Sequence, residues 1–316
     1  MKSPHLLPAL AAAAAAALLV PIARAEEPSE APPSPEAAPV EAPEAIDEDE
    51  APELVWRWRR QAWYDYTATG LLVTGAAIEL ALPVGLELDE RRRSGGVLFD
   101  DAIRDALVLG SNQTRQSMAM MSNVTLGLLA AYPTVVDAAI VTWAVRGSPD
   151  VAWQMTMINL QSYALSSLVT GALKRAADRE RPVATACFED PSYDDSCSNA
   201  DKHYSFPSGH SSMSFTGASL MCLHHLELDL YGGGGADVLA CVAGLTTATF
   251  TGMARIVADR HYMTDVLAGA ALGGISGGLV PWLLYYAWDT PPEPDTAMVI
   301  PSVGPDTLGL SLAGAF

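Results

Sequence analysis

Along most of the chain apolar residues recur every three or four positions, the interval of a helix buried on one face, and strict alternation is rare. Long runs of this kind cover residues 67–86, 118–145, 151–173, 211–226, 238–253 and 266–288. They predict an all-α fold, a helical bundle of about six main helices whose lengths permit membrane embedding. A shorter run, 97–109, spaces Val97, Leu98, Ile103, Ala106, Leu107 and Leu109 among acidic residues and predicts a helix lying on a surface. Asn123, Asp137, Gln154, Asn159 and Gln161 interrupt the apolar runs, and in a bilayer each would have to face the bundle interior or a cavity.

Small residues add detail to this pattern. Gly269, Gly273 and Gly277 recur four apart in the last run, next to Gly274 and Gly278, a spacing that lets helices approach closely. Glycines 232–235 predict a flexible turn. After residue 290 two short extended runs flank a Gly-Pro-Asp turn, so the tail 291–316 is expected to form a hairpin.

The N-terminal flank reads differently. Residues 1–25 carry Lys2, an Ala/Leu-rich stretch and Ala23-Arg24-Ala25, the pattern of a signal peptide with its cleavage site. Residues 26–54 are dominated by Pro, Ala and acidic side chains and are expected to be a disordered linker. The helical domain then spans 55–290. The formal net charge of −19 is partly a property of the linker. An acidic chain without a basic stripe or an aromatic platform argues against a nucleic-acid partner. Trp56, Trp58, Trp63, Tyr64 and Tyr66, interleaved with Arg57, Arg59 and Arg60, suit either an interfacial membrane entry or a helix packing its aromatics on the bundle.

Against this apolar background, three short stretches carry chemistry. His261 and Asp265 lie four apart, so on one helix the carboxylate would hold one imidazole nitrogen and leave the other to act as a nucleophile or a metal ligand. Arg255 adds a permanent positive charge with a fork that fits phosphate oxygens. Lys174 and Arg181 lie seven apart, which on one helix makes a two-cation ledge, with Pro182 stopping the helix. Pro207-Ser208-Gly209-His210 opens the next apolar run, so the Ser208 hydroxyl and the amides of Gly209 and His210 sit at a helix N-terminus, where anions bind.

In this order and spacing the stretches resemble the three-part signature of the type 2 phosphatidic acid phosphatase family, which shares its fold and phosphate pocket with bacterial class A acid phosphatases and vanadium haloperoxidases. The resemblance covers roughly residues 60–290. It departs only at Ala254, where the family usually has Ser. It implies that His261 is the nucleophile, Asp265 its orienting partner and His210 the general acid. Lys174, Arg181, Ser208, Gly209 and Arg255 would bind the phosphate oxygens. Phosphoryl transfer asks mainly for positioning and charge neutralisation, so neither a metal nor another cofactor is expected. The expected activity is hydrolysis of a lipid phosphate or diphosphate, of the phosphatidate or isoprenoid-diphosphate type, through a phosphohistidine. A broad-specificity soluble periplasmic acid phosphatase is the first alternative; a vanadate-dependent haloperoxidase and an inactive membrane scaffold follow.

The expected setting is a bacterial-type cell envelope, membrane-integral or membrane-associated, with the site facing the periplasm. A conflict attends this. Three full spans before Arg181, after a cleaved signal, would put the site in the cytoplasm, so one run does not span or the domain is a periplasmic bundle attached to a membrane surface. Cys187 and Cys197, ten apart before His210, have a spacing that suits a disulfide in an oxidising compartment, or they are free thiols. Cys222 and Cys241 lie in apolar runs and are expected to be unpaired core residues. His224 and His225 are expected on an exposed helix end, about four turns from the site. The loop 183–206 is the expected determinant of leaving-group specificity.

Overall fold

The computed structural model describes residues 54–82, 95–198 and 204–288, and the backbone of 298–304 and 307–313. The expected signal peptide, nearly all of the acidic linker and the arginine turn at 91–93 lie outside the described residues. By its contacts the chain divides into Met1–Glu48 and Asp49–Phe316, and the described residues all belong to the second unit.

Helix α1 is Trp63–Ala81, α2 Asp100–Leu107, and α3 Asn112–Tyr132 with a π-helical continuation, Pro133–Val145. Helix α4 is Pro149–Ala177, α5 Pro182–Glu189, α6 Gly209–Leu228 and α7 Gly235–Val257. Helix α8 is Met263–Gly274 and runs on through wider turns at Ile275–Leu279 and Trp282–Tyr286. Strands β1 (Met298–Gly304) and β2 (Thr307–Ala313) form the expected hairpin, with Met298 opposite Ala313 and Gly304 opposite Thr307.

Local chemistry sets the helix boundaries that matter for the site. Pro149 occupies the start of α4, where its missing N–H costs nothing, and Lys174 and Arg175 fall in the last turn, where cations suit the helix dipole. Asp178, at φ 41°, then ends α4 in the left-handed conformation. Ser208 caps α6 by accepting a hydrogen bond from the Ser211 N–H. Gly232, Gly233 and Gly234 all have positive φ and form the predicted turn into α7.

The six long helices run up and down. Arg60 pairs with Asp150, Arg57 donates to the Glu227 carbonyl and Arg59 to the Leu284 carbonyl. These contacts gather the starts of α1 and α4 with the ends of α6 and α8. At the opposite end Glu79 of α1 pairs with Arg175 of α4 at 2.7 Å, and the Ser208 N–H donates to the Asp265 carbonyl at 2.9 Å, joining the starts of α6 and α8. Lys174, His210 and His261 all belong to this second end, away from where the chain enters the bundle.

The glycine stripe explains how α8 reaches α6. A Cβ added at Gly269, Gly273 or Gly277 would lie 2.6, 2.4 or 2.2 Å from the carbonyl oxygens of Ser208, Ser212 and Thr216. The two backbones touch, one turn after another. Three helical stretches, Asn112–Val145, Gly235–Val257 and Met263–Tyr286, are long and apolar enough to cross a membrane. Their outward faces expose large apolar side chains such as Leu128, Leu239 and Leu267. Such a surface suits lipid, and the domain is membrane-associated.

Several expectations fail at particular residues. Residues 54–62 are not helical; Trp56 and Trp58 are buried and pack edge-to-face with Tyr286, which removes them from any interfacial role, while Trp63 stays exposed. His224 and His225 are wholly buried rather than on a helix-end surface. The ring nitrogens of His224 meet the Tyr286 hydroxyl and Asn159; those of His225 meet Asp237 and Asp137. Cys222 and Cys241 form a disulfide between α6 and α7, so they are not unpaired core thiols. Cys187 and Cys197 are also bonded, tying α5 to the 3-10 turn Asp195–Ser198.

Candidate active site

His261 lies in the five-residue link, 258–262, between the end of α7 at Val257 and the start of α8 at Met263, and it is 2% exposed. The sequence spacing suggested that His261 and Asp265 share a helix. They do not, because Tyr262 is extended at ψ 162° and α8 starts only at Met263. Asp265 stands in the first turn of α8, where its Oδ2 accepts the Tyr262 N–H at 2.9 Å and the hydroxyl of Ser205. His261 Nδ1 lies 3.5 Å from the same oxygen, leaving Nε2 as the ring nitrogen turned from the carboxylate. Asp265 Oδ1 accepts from Arg179 Nη1 at 2.7 Å.

The cations arrive on separate elements. Lys174 sits in the last turn of α4 and donates to the Tyr204 carbonyl at 2.9 Å. Arg181 does not share its helix, since Asp178 breaks α4 first. Arg181 is instead the N-cap of α5, and Pro182 starts that helix rather than stopping the previous one. Arg255, 6% exposed in the last turn of α7, donates through Nη1 to the Ser122 hydroxyl at 3.2 Å. The positive charges of all three bear on both imidazoles. Burial first, then Arg181, Lys174, Arg255 and His210, hold His261 well below the ordinary histidine range. Burial, then Arg255, Arg181 and Lys174, take His210 down to about 3.

His210 stands at the second position of α6, its Nε2 2.7 Å from Asn123 Oδ1. The first N–H groups of α6, at Gly209 and His210, have no carbonyl within the helix to bind and suit an anion. Ser208 is fully buried, and its oxygen is engaged by the Ser211 hydroxyl at 3.0 Å. A methyl placed on Gly209 would lie 3.6 Å from Lys174 Cε, which shows how closely the second and first stretches meet. A cavity of 370 Å³ opens beside them, lined by Lys174, Arg181 and Gly209 together with Leu80, Leu82 and Met213.

Three distant stretches thus surround one spot with two imidazoles, three cations and the start of a helix. Residues 156–289, which hold all three, match the model of the PAP2 superfamily. This segment, less than half of the chain, is similar to a PAP2 domain. Lipid A 1-phosphatase of Porphyromonas gingivalis is 29% identical over 184 residues, which are 58% of this chain and 34% of that protein. The chain therefore spans about a third of the length of the curated relative it matches. A crystal structure described as the first transmembrane PAP2 type phosphatidylglycerolphosphate phosphatase from Bacillus subtilis aligns with a TM-score of 0.45 at 18% identity, over 70% of this chain and 96% of that one.

The site also holds residues that sequence reasoning passed over. Ser205 and Arg179 both reach Asp265, although neither stands in the quoted motifs. Asn123 and Ser122, which touch His210 and Arg255, belong to α3, before the matched segment. Asn123 had a signal, a polar side chain interrupting an apolar run. Arg179 had none beyond an unassigned charge between two assigned ones.

Proposed function

We propose that this protein is a phosphatase that removes a terminal phosphate from a membrane lipid at the cell envelope, with His261 as the nucleophile. The observation that carries the proposal is the convergence of Lys174, Arg181 and Arg255 on His261 and His210, beside a cavity that Lys174 and Arg181 line together with Leu80, Leu82 and Met213. Three cations and the amides of α6 match the charge that develops on phosphoryl oxygens, and the apolar side chains in the cavity wall suit a hydrocarbon. The similarity to a lipid A 1-phosphatase supports a lipid phosphate over a small soluble ester.

In this reading His261 Nε2 attacks phosphorus while Asp265 takes the charge on the imidazole through Nδ1. The P–O bond to the leaving group breaks, and that oxygen takes a proton from His210. The neutral His210 then accepts a proton from water, whose oxygen attacks the phosphohistidine, freeing phosphate and His261. A free-enzyme His210 near 3 lacks the proton it must give, so the incoming phosphate dianion has to raise it by offsetting the three cations. The Cys187–Cys197 disulfide, on the segment that follows Arg181, supports placing this end of the bundle in the periplasm.

The test is phosphate release by the purified full chain from phosphatidate, an isoprenoid diphosphate, lipid A and p-nitrophenyl phosphate. Preference for a lipid in mixed micelles supports the proposal. Equal or better turnover of p-nitrophenyl phosphate without detergent would favour the soluble acid phosphatase instead.

A further inference from the structure

Helix α2 lies outside every motif quoted above, yet its first residue is wired to the nucleophile. Asp100 is fully buried, and its Oδ2 accepts from Arg179 Nη2 at 2.7 Å. The other arm of the same guanidinium reaches Asp265 Oδ1 at 2.7 Å and Thr264 Oγ1 at 2.8 Å. Arg179 is 6% exposed and its guanidinium lies 4.3 Å above the Tyr262 ring, beside the residue that follows His261. Asp100 also takes the Thr264 N–H at 2.9 Å, the Thr264 hydroxyl at 2.6 Å and the Val97 N–H at 3.0 Å. Burial opposes its charge, but the bonds from Arg179 and Thr264 outweigh it and hold Asp100 below the usual carboxylate range.

We infer that Arg179 and Asp100 are positioning residues of the catalytic centre, acting through Asp265 on His261. The inference rests on the reading of His261 as nucleophile given above. Its physical basis is that one carboxylate cannot orient an imidazole unless it is itself held. Asp265 has one oxygen shared by Ser205, the Tyr262 N–H and His261, while the other is held by Arg179. Without Arg179 the carboxylate is free to turn about its last torsion, and the 3.5 Å approach to Nδ1 is no longer imposed. Asp100 in turn stops the guanidinium from swinging away and balances its charge, so the buried row runs minus, plus, minus before the neutral imidazole. An ion pair kept only for stability would need a single carboxylate. This one spans two, and the second touches the nucleophile.

The charged and titratable groups facing the His261–Asp265 pair are Lys174 from α4, Arg181 from α5, Arg255 from α7, His210 from α6, Arg179 from the turn after α4 and Asp100 from α2. Removing Arg179 takes away a cation, so a proton enters the pair more readily. The acid limb of the rate profile then moves to higher pH.

The experiment measures kcat and KM against pH for the full chain in detergent, with phosphatidate in mixed micelles and with p-nitrophenyl phosphate, for the wild type, Arg179→Gln, Arg179→Lys, Asp100→Asn and His261→Ala. Arg179→Gln is expected to lose about a hundredfold in kcat on both substrates with KM little changed, and to move the acid limb upward. Arg179→Lys recovers part of the rate, and Asp100→Asn gives a smaller loss of the same kind. Added guanidinium should raise the rate of Arg179→Gln and leave the wild type unaltered. A wild-type kcat and pH profile in Arg179→Gln or in Asp100→Asn would overturn the inference. If Arg179→Gln does not fold, Arg179→Lys and Asp100→Asn decide it by the same two readouts. An active His261→Ala would instead refute the nucleophile and leave the positioning argument without its object.

Discussion

The Nε2 atom of His210 lies 2.7 Å from Asn123 Oδ1, a contact that joins the first turn of α6 to α3. A carbonyl oxygen there fixes a proton on Nε2, so in the proposed mechanism the other ring nitrogen, Nδ1, serves the leaving group and then water. Asn123→Ala frees the ring and is expected to lower kcat about tenfold with a smaller change in KM, read from steady-state phosphate release. Loss of substrate affinity with an unchanged kcat would show that Asn123 serves the pocket and not the acid.

Gly273 stands where α8 rests on the α6 backbone, and a methyl there would lie 2.4 Å from the Ser212 carbonyl oxygen and 2.7 Å from the Phe215 Cβ. Backbone cannot give way as a long side chain can. Gly273→Ala is expected to cost about 1–3 kcal/mol in the urea or thermal midpoint of the detergent-solubilised protein. It should also slow turnover, because moving α8 shifts Asp265 against Ser208. Gly274→Ala, at a position with nothing within 4 Å, is the control and should leave both unchanged.

The pH dependence of stability follows in part from His210, beside the likewise depressed His224 and His261. The folded value of His210, about 3, lies below the ordinary 6.5, so the unfolded chain takes up the proton first. This contribution is intact above about pH 6.5 and is lost as the pH falls toward 3. Thermal midpoints should therefore drop on acidification through that window, and His210→Asn should flatten the drop. Inorganic phosphate should restore part of it, since the anion offsets the cations that repel the proton.

Charge neutralisation in this site is assigned to Arg255, Lys174 and Arg181. Arg255→Ala should cost about a hundred- to a thousandfold in kcat, the usual loss when one preorganised donor to an oxyanion is removed. Arg255→Lys should recover little, because the fork that also holds the Ser122 hydroxyl cannot be copied by an ammonium. Chelation with EDTA should leave the wild-type rate unchanged. A rate restored by a divalent cation after chelation would contradict the assignment.

The helices and the three chemical stretches were legible because each is local. Apolar periodicity fixes a helix from its own residues, and a Lys, a Ser-Gly-His and an Arg with a His are visible wherever they stand. What stayed hidden depends on where chains cross. Nothing near Trp56 or Trp58 announces that Tyr286 waits to bury them, so aromatic rings among arginines suited a membrane interface as well as packing on the bundle. His224 and His225 sit close to a helix end, yet Asn159, Asp137 and Asp237 come from other helices to meet their ring nitrogens. Cys222 pairs with Cys241 because a glycine turn folds α7 back on α6, a distance that spacing alone does not give. Two local readings failed: the helix shared by His261 and Asp265, which α8 starts too late to supply, and the ledge. Lys174 and Arg181 share a face only if the helix continues, and Asp178 ends it.

The central claim is that His261 carries the phosphoryl group during turnover. Rapid mixing of the full chain with phosphatidate or p-nitrophenyl phosphate, quenched in alkali where phosphohistidine survives and digested for mass spectrometry, tests it directly. The account predicts a phosphoryl group on the peptide containing His261, accumulating in His210→Asn and absent in His261→Ala. Turnover by an enzyme whose label falls on another residue, or on none, would contradict it.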